Sequence, residues 1–430
     1  MSQYGATSLL RWRLRTSRRV STNVTDHLPT FKRKLGVLVI GFGGAVSTTA
    51  VAGIELLRSG ASDTTGLPLA DVLASGLADY SEMVFAGWDL YPDDLASAAR
   101  HHRVLETEQL AAVTPALAAL APMPAIGAPG WCNNVTGSNA FAATGHRATI
   151  AQVQSDIASF RATSHADGCV VINLASVERW PDLAAPKFLS LEAFEHALDA
   201  NDAEIPPAML YAYAAIDAGV PYGNFTPSLA ADVPALVELA NRRNVPVAGK
   251  DGKTGQTMLK TVIAPALKAR ALHVDGWFST NILGNRDGEA LDDPASLASK
   301  LATKASVLDS ILGYPVDNHI VKINYYKPRG DNKEAWDNID VSGFLGQKMQ
   351  IKIDFLCRDS ILAAPLVIEI ARTLDLASQR GEGGIQEQLG VFFKAPMTID
   401  GNETEHDFGK QEARLRTWLT SERKVSVPTR

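Results

Sequence analysis

The sequence predicts an α/β fold, a doubly wound parallel sheet followed by a second α+β domain with an open mixed sheet. Three observations lead there. From Leu35 onward, short apolar runs alternate with helical periods, the pattern of a parallel sheet covered by helices. A glycine turn, Gly41-Phe42-Gly43-Gly44, stands between a β-branched run and an alanine-rich helical stretch. Further on, Met349, Ile351, Ile353 and Phe355 alternate with Lys348, Gln350, Lys352 and Asp354, a period of two that marks a strand with one buried face.

The elements follow in order. Strands are predicted at Gly36 to Ile40, Met83 to Ala86, Cys169 to Leu174 and Val245 to Ala248. Helices are predicted at Thr149 to Arg161, Leu191 to Leu198 and Ala231 to Arg242, with Ala364 to Leu376 a helix able to return to the first domain. The apolar side of the second sheet needs a cover, either its own helices or the same sheet of another subunit. The run Leu35 to Ile54 holds 20 consecutive uncharged residues, enough in length for a membrane span. Its strand–turn–helix texture argues against that, and a soluble protein is expected.

Composition narrows the class. At 430 residues the chain has room for two or three domains. Lys and Arg number 41 against 47 Asp and Glu, a net charge of −6, without the positive field of a nucleic-acid binder. Cys132, Cys169 and Cys357 lie far apart with no metal-ligand spacing, which argues against a disulfide framework or structural zinc and favours a reducing, cytoplasmic compartment. The first 25 residues carry Arg11, Arg13, Arg15, Arg18 and Arg19 and no acid, fitting a disordered extension or a targeting segment.

The glycine turn has the context of a loop whose N–H groups meet a pyrophosphate at a helix N-terminus. Val46 stands where a third glycine would complete the fingerprint, so a plain tight turn remains the alternative. The next strand ends in Gly87-Trp88-Asp89. Asp89 is placed to hydrogen-bond an adenosine ribose and to repel a 2′-phosphate, favouring NAD over NADP; otherwise it caps a helix beginning near Pro92. The long spacing from the glycines requires an inserted loop, which Ser59 to Tyr80 supplies.

The segment from Lys250 to Lys394 carries the chemistry. Asp251 to Thr257 is a polar loop after a strand and before a helix, at the sheet edge where ligands bind. Asn281, Asn285 and Asp287 bring two carboxamides and a carboxylate close together, suited to a hydroxyl-rich substrate or to an Asx-rich turn. Lys300 and Lys304 lie four apart on the predicted helix Pro294 to Leu312, so their ammonium groups leave one face, either for a bound dianion or as a solvated basic face.

Taken in order from about Lys34 to Pro396, these segments, with Gly330 to Lys333, Asp359 to Pro365 and Lys394-Ala395-Pro396, resemble the myo-inositol-1-phosphate synthase family. The resemblance implies a redox-neutral conversion of glucose 6-phosphate to inositol phosphate with tightly held NAD, in a cytoplasmic homotetramer of prokaryotic-type length. It implies catalysis by Lys300, Lys304, Lys333 and Lys394. Substrate contacts are implied for Asp251, Gly252, Thr254, Gln256, Asn281, Leu283, Gly284 and Asn285. Cofactor contacts are implied for Gly41, Gly43, Gly44, Ser47, Thr48, Asp89, Asp287, Asp331, Asp359 and Ser360. The implied domains are an extension at 1–30, a Rossmann-like NAD-binding domain at 31–257, a catalytic and tetramerisation domain at 258–360, and a return to the first domain at 361–430.

The chain departs from the family pattern in places. Ala45 and Val46 replace asparagines of the glycine turn, leaving pyrophosphate contacts to the backbone or to Ser47 and Thr48. Lys250 replaces an acid, and Ile282 replaces a histidine common in eukaryotic members. A dehydrogenase with net oxidation and a catalytically idle NAD-binding protein are the rival readings. No cation requirement is legible.

Overall fold

A computed structural model describes residues 33–127, 130–132, 135–142, 144–284, 307–399 and 402–421. The predicted extension at 1–30 lies outside them. β1 (Leu35–Ile40), β2 (Met83–Asp89), β3 (Met123–Pro124), β4 (Gly168–Asn173), β5 (Tyr222–Asn224), β6 (Pro246–Ala248) and a final short strand (Gly384–Ile385) form one parallel sheet. Outward from β1, one side runs β2, β3 and the other runs β4, β5, β6 and the final strand. Strand order reverses at β1, creating the crevice between β1 and β4 at their carboxyl ends where doubly wound sheets take ligands.

β1 shows why the chain adopts this form. All of its residues are buried, with Leu38 and Ile40 in one apolar cluster and Leu35, Val37 and Val39 in the other. A strand buried on both faces has to be a near-continuous apolar run. One face is covered by α4 (His146–Ser164), α5 (Leu191–Asp199), α6 (Pro207–Asp217) and α7 (Pro234–Arg243). The other is covered by α1 (Ala45–Arg58), α2 (Leu95–His102), α3 (Thr107–Ala118) and a long C-terminal helix (Asp359–Gln379). The strands and helices predicted within the described residues appear, with ends shifted by a few residues; of the helix predicted at Pro294 to Leu312 only Val307–Leu312 is described, and the rest lies outside the described residues. The helix that follows β2 starts at Leu95 and is capped by Asp94, so the capping alternative for Asp89 does not hold.

The second sheet is mixed. After α8 (Gln256–Ala269) come β7 (His273–Leu283), α9 (Val307–Leu312), β8 (His319–Tyr325), β9 (Asn332–Ser342) and β10 (Lys348–Arg358), in the order β10-β9-β7-β8. β7 and β8 are parallel and the other pairs antiparallel. Ile351 and Ile353 of the alternating strand pack with Ile339, Val341 and residues of α8 and α9, so the chain's own helices cover that face.

β10 runs directly into α10 (Asp359–Gln379), which crosses back beneath the first sheet, followed by β11 (Gly384–Ile385) and α11 (Phe408–Thr420). Midway along α10, fully buried Glu369 pairs with Arg372 at 2.6 Å and accepts hydrogen bonds from the Tyr80 hydroxyl at 2.6 Å and the Leu69 N–H at 3.3 Å. Arg372 donates to the Ala78 carbonyl and lies over the Tyr80 ring. This cluster holds down the loop inserted between α1 and β2. Glu369→Ala leaves a buried guanidinium without its counter-ion and is expected to cost about 3 kcal/mol or more in denaturant unfolding.

Candidate active site

A cavity of about 600 Å³ lies along the carboxyl ends of β1, β2, β4 and β5, a size within the range of cofactor and substrate sites. At one end is the glycine turn. Gly41 adopts φ +84° and a side chain there would meet the Leu174 carbonyl, so the turn needs glycine at this point. The first backbone bond of α1 runs from the Thr48 N–H to the Gly44 carbonyl, which leaves the N–H groups of Ala45, Val46 and Ser47 over. Ser47 lines the cavity, and its buried hydroxyl has no hydrogen-bond partner among the described residues. These donors fit a pyrophosphate. Thr48 does not join them, because its hydroxyl is turned back onto the Gly44 and Ala45 carbonyls.

Asp89 at the tip of β2 accepts from the Gly43 N–H at 2.8 Å and the Tyr91 N–H at 3.0 Å, and it lines the cavity. It thus ties the turn to the neighbouring strand while lining the place an adenosine ribose would occupy. From α2, His102 Nε2 donates to the Gly43 carbonyl at 2.8 Å, fixing the turn from its other side.

Toward the far end the wall is charged. Lys394 Nζ meets Asp251 Oδ1 at 2.6 Å, and Lys333 Nζ meets Asp359 Oδ1 at 3.3 Å, with the Thr254 hydroxyl donating to the same Asp359 oxygen at 3.2 Å. Asp251, Gly252, Thr254, Lys333, Asp359, Ser360 and Lys394 all line the cavity. The loop that carries three of them is laced at the backbone: Asp251 N–H to Thr226, Gly252 N–H to Phe225, Lys253 N–H to Phe392, and Lys394 N–H back to Asp251. At Gly252 a β-carbon would stand 2.0 Å from the Phe225 ring, so no side chain fits.

Other site residues stand behind this wall. Asp331 accepts from the Ser360 hydroxyl at 2.6 Å, and burial raises its pKa while that bond opposes the rise. Gln256 and Asn281 are buried and joined amide to amide at 2.5 Å. Leu283 packs with Val177 of the cavity wall, and Gly284 follows at the end of β7. Asn285, Asp287, Lys300 and Lys304 lie outside the described residues. Lys250, next to the loop, pairs with Asp232 at 2.6 Å and lies over the Trp180 ring.

Several wall residues carry no motif. Glu178 is buried in the wall with its carboxyl on the Ala208 N–H at the start of α6, and burial pushes its pKa up to about 8. Asn173 and Asn224 end β4 and β5, and hydrogen bonds join them to each other and to the loop N–H groups that follow. Asparagines ending successive strands were the available signal. Among the described residues, no group of three or more His, Cys, Asp or Glu is arranged to hold a metal, and Cys169 and Cys357 are buried free thiols.

A donor-rich turn and paired ammonium and carboxylate groups in one crevice place the protein among the NAD-binding α/β enzymes that act on polar substrates. The comparisons make this particular. A profile described as myo-inositol-1-phosphate synthase matches residues 66–420. An inositol-3-phosphate synthase of Bacteroides thetaiotaomicron is 43% identical over 399 residues, covering 88% of this chain and 93% of that protein. The crystal structure of inositol-3-phosphate synthase from Caenorhabditis elegans superposes with a TM-score of 0.84 at 25% identity, covering 90% of this chain and 86% of that one. A synthase-related protein of Thermotoga maritima shares the fold, with a TM-score of 0.76 at 24% identity over 91% and 100% of the two chains. The chain belongs to the myo-inositol-1-phosphate synthase family.

Lys253 points away from the wall pairs and donates to Gln411 of α11, with the Phe408 ring beside it. Burial lowers its pKa from 10.5 to about 7. Between those values the folded chain binds fewer protons than the unfolded one, so stability rises as pH climbs through that window. The difference in thermal midpoint, wild type minus Lys253→Met, is expected to grow from about pH 6.5 to about pH 9; a difference flat across pH would show an unshifted amine.

Proposed function

We propose that this chain carries out the NAD-dependent, redox-neutral conversion of D-glucose 6-phosphate to 1D-myo-inositol 3-phosphate. The observation that carries this reading is the meeting of the Lys394–Asp251 and Lys333–Asp359 pairs with the glycine turn in a single cavity. Gly41, Gly44, Ser47 and Asp89 hold the dinucleotide at one end, Asp359 and Ser360 at the other. NAD held by these residues would supply reversible hydride transfer at C5 of the open-chain sugar.

The chain's residues handle the charge and the protons. A ketone at C5 acidifies the C6 proton because the carbanion is delocalised as an enolate; the substrate's own phosphate takes that proton, and the C6 carbon then attacks the C1 aldehyde. Both oxyanions need fixed positive charge in a site shielded from water. Lys300 or Lys304 serves the C5 oxygen and relays its proton, as an amine placed within hydrogen-bond reach of a reacting hydroxyl can. Lys333 stabilises the C1 oxygen as it becomes an alkoxide. Lys394, held by Asp251, binds phosphate or ring oxygens. No Schiff base is assigned, because electrostatic stabilisation alone accounts for each step.

The reading extends to a cytoplasmic homotetramer. Among the described residues, no helix is long and apolar enough to cross a membrane. The outer face of the second sheet carries the Phe278–Trp336 ring pair, with Ile320 and Leu356 exposed at 42% and 61%. Those side chains supply an apolar surface for the same sheet of another subunit.

With trace NAD and glucose 6-phosphate, phosphorus NMR is expected to show inositol phosphate and absorbance to show no NADH build-up. Stoichiometric NADH would instead identify a net dehydrogenase. Lys333→Ala and Lys304→Ala are each expected to lower kcat about 100-fold or more with NAD affinity retained; undiminished turnover by either would remove that lysine from the mechanism.

A further inference from the structure

Asp337 lies in the middle of β9, on the face that also carries Lys333 toward the cavity, and it is 1% exposed. Its register partner is Ser279, and Asn281 two residues along pairs with Ala335, so Lys333, Asp337, Ser279 and Asn281 share one side of the sheet. No motif marks Asp337, and the reaction as described leaves it without a task.

Its hydrogen bonds set the polarity of its neighbours. One carboxylate oxygen accepts from the Trp277 indole at 2.7 Å and the Ser279 hydroxyl at 2.5 Å; the other accepts from Gln256 Nε2 at 3.2 Å. Gln256 Nε2 also reaches the Thr280 carbonyl at 3.4 Å. A carboxylate and a backbone carbonyl only accept, so the Gln256 NH₂ must face them and its oxygen must face the other way. There it meets Asn281 at 2.5 Å, which must therefore present its own NH₂. The remaining atom, Asn281 Oδ1, is buried and has no partner among the described residues, and Asn281 is 1% exposed. A buried acceptor left bare is costly unless a ligand supplies the donor.

We propose that Asp337 is a positioning residue that, through Gln256, orients Asn281 so that it offers an acceptor alone, and that this acceptor takes a hydrogen bond from a hydroxyl of the bound sugar phosphate. The inference rests on the proposed function for the identity of the ligand and deepens it by assigning the direction of one contact. A site of this polarity selects for a hydroxyl and against an isostere that cannot donate. Thr254, two residues before Gln256, lines the cavity.

The test compares glucose 6-phosphate with its 2-, 3- and 4-deoxyfluoro analogues, since fluorine replaces the hydroxyl in size but cannot donate. In the wild type, fluorine at one of the three positions is expected to lower kcat/KM by at least about 100-fold. In Asp337→Asn, the new amide can donate toward Gln256, both neighbouring amides can turn over, and Asn281 can then present its NH₂. The fluorine penalty at that position is expected to shrink to within about threefold while kcat/KM for the parent substrate falls about tenfold or more. Gln256→Met breaks the relay without touching the Trp277 and Ser279 bonds, and is expected to shrink the same penalty; it carries the test if Asp337→Asn does not fold.

A purely structural role would lower all substrates alike and leave the ratio unchanged, which overturns the proposal. A wild type that cyclises glucose 6-phosphate and tolerates fluorine at all three positions overturns the inference alone. A wild type that does not cyclise it overturns the proposed function, and the inference with it.

Discussion

Two ammonium–carboxylate pairs tie distant stretches of chain to one cavity wall. Lys394 and Asp251 are 143 residues apart, Lys333 and Asp359 are 26 apart, and each pair has side chains less than a fifth exposed. Taking such charges out of water is unfavourable on its own, and the loss is offset only where the partners meet in good geometry and their remaining valences are filled. The backbone lacing of residues 250–254 to the loop after β5 and to the segment around Phe392–Ala395 supplies that geometry. Much of the architecture serves to bring these pieces together. The β10–α10 junction puts Asp359 on the cavity while the rest of α10 anchors beneath the first sheet, so the second sheet is tied to the first by an element whose start lies in the site.

The opposite end of the cavity is held by lighter means. Its donors are backbone N–H groups and the Ser47 hydroxyl, with Asp89 and His102 bonded to the two sides of Gly43. A turn fixed by its neighbours presents donors without charge of its own, and the helix end adds a modest attraction for an anion. The contrast with the lysine end suits a cofactor that is retained through turnover and a substrate whose oxygens change charge.

A third layer lies behind the wall. Asp331 holds Ser360, Gln411 and Phe408 of α11 flank Lys253, and Asp337 sets the Gln256 and Asn281 amides. Of these supporting groups only Asp331 lies in a segment that the family resemblance marks; Gln411, Phe408 and Asp337 belong to none, because what they need is a partner in space and not a neighbour in sequence.

Periodicity alone made the doubly wound sheet legible, since a strand buried on both faces must be a continuous apolar run and Leu35–Ile40 is one. The glycine turn was legible because only glycine accepts the φ of Gly41, and the lysines and carboxamides were legible through family resemblance carried by many short segments in order. The tertiary structure decided the rest. It turned Thr48 back onto its own helix, moved the helix cap from Asp89 to Asp94, covered the alternating face of β10 with the chain's own helices, and gave Asp337 a role in orienting Gln256. A side chain's type is written in the sequence, whereas the direction of a hydrogen bond depends on which partner arrives across the fold, and that is settled only when elements distant in sequence are packed side by side.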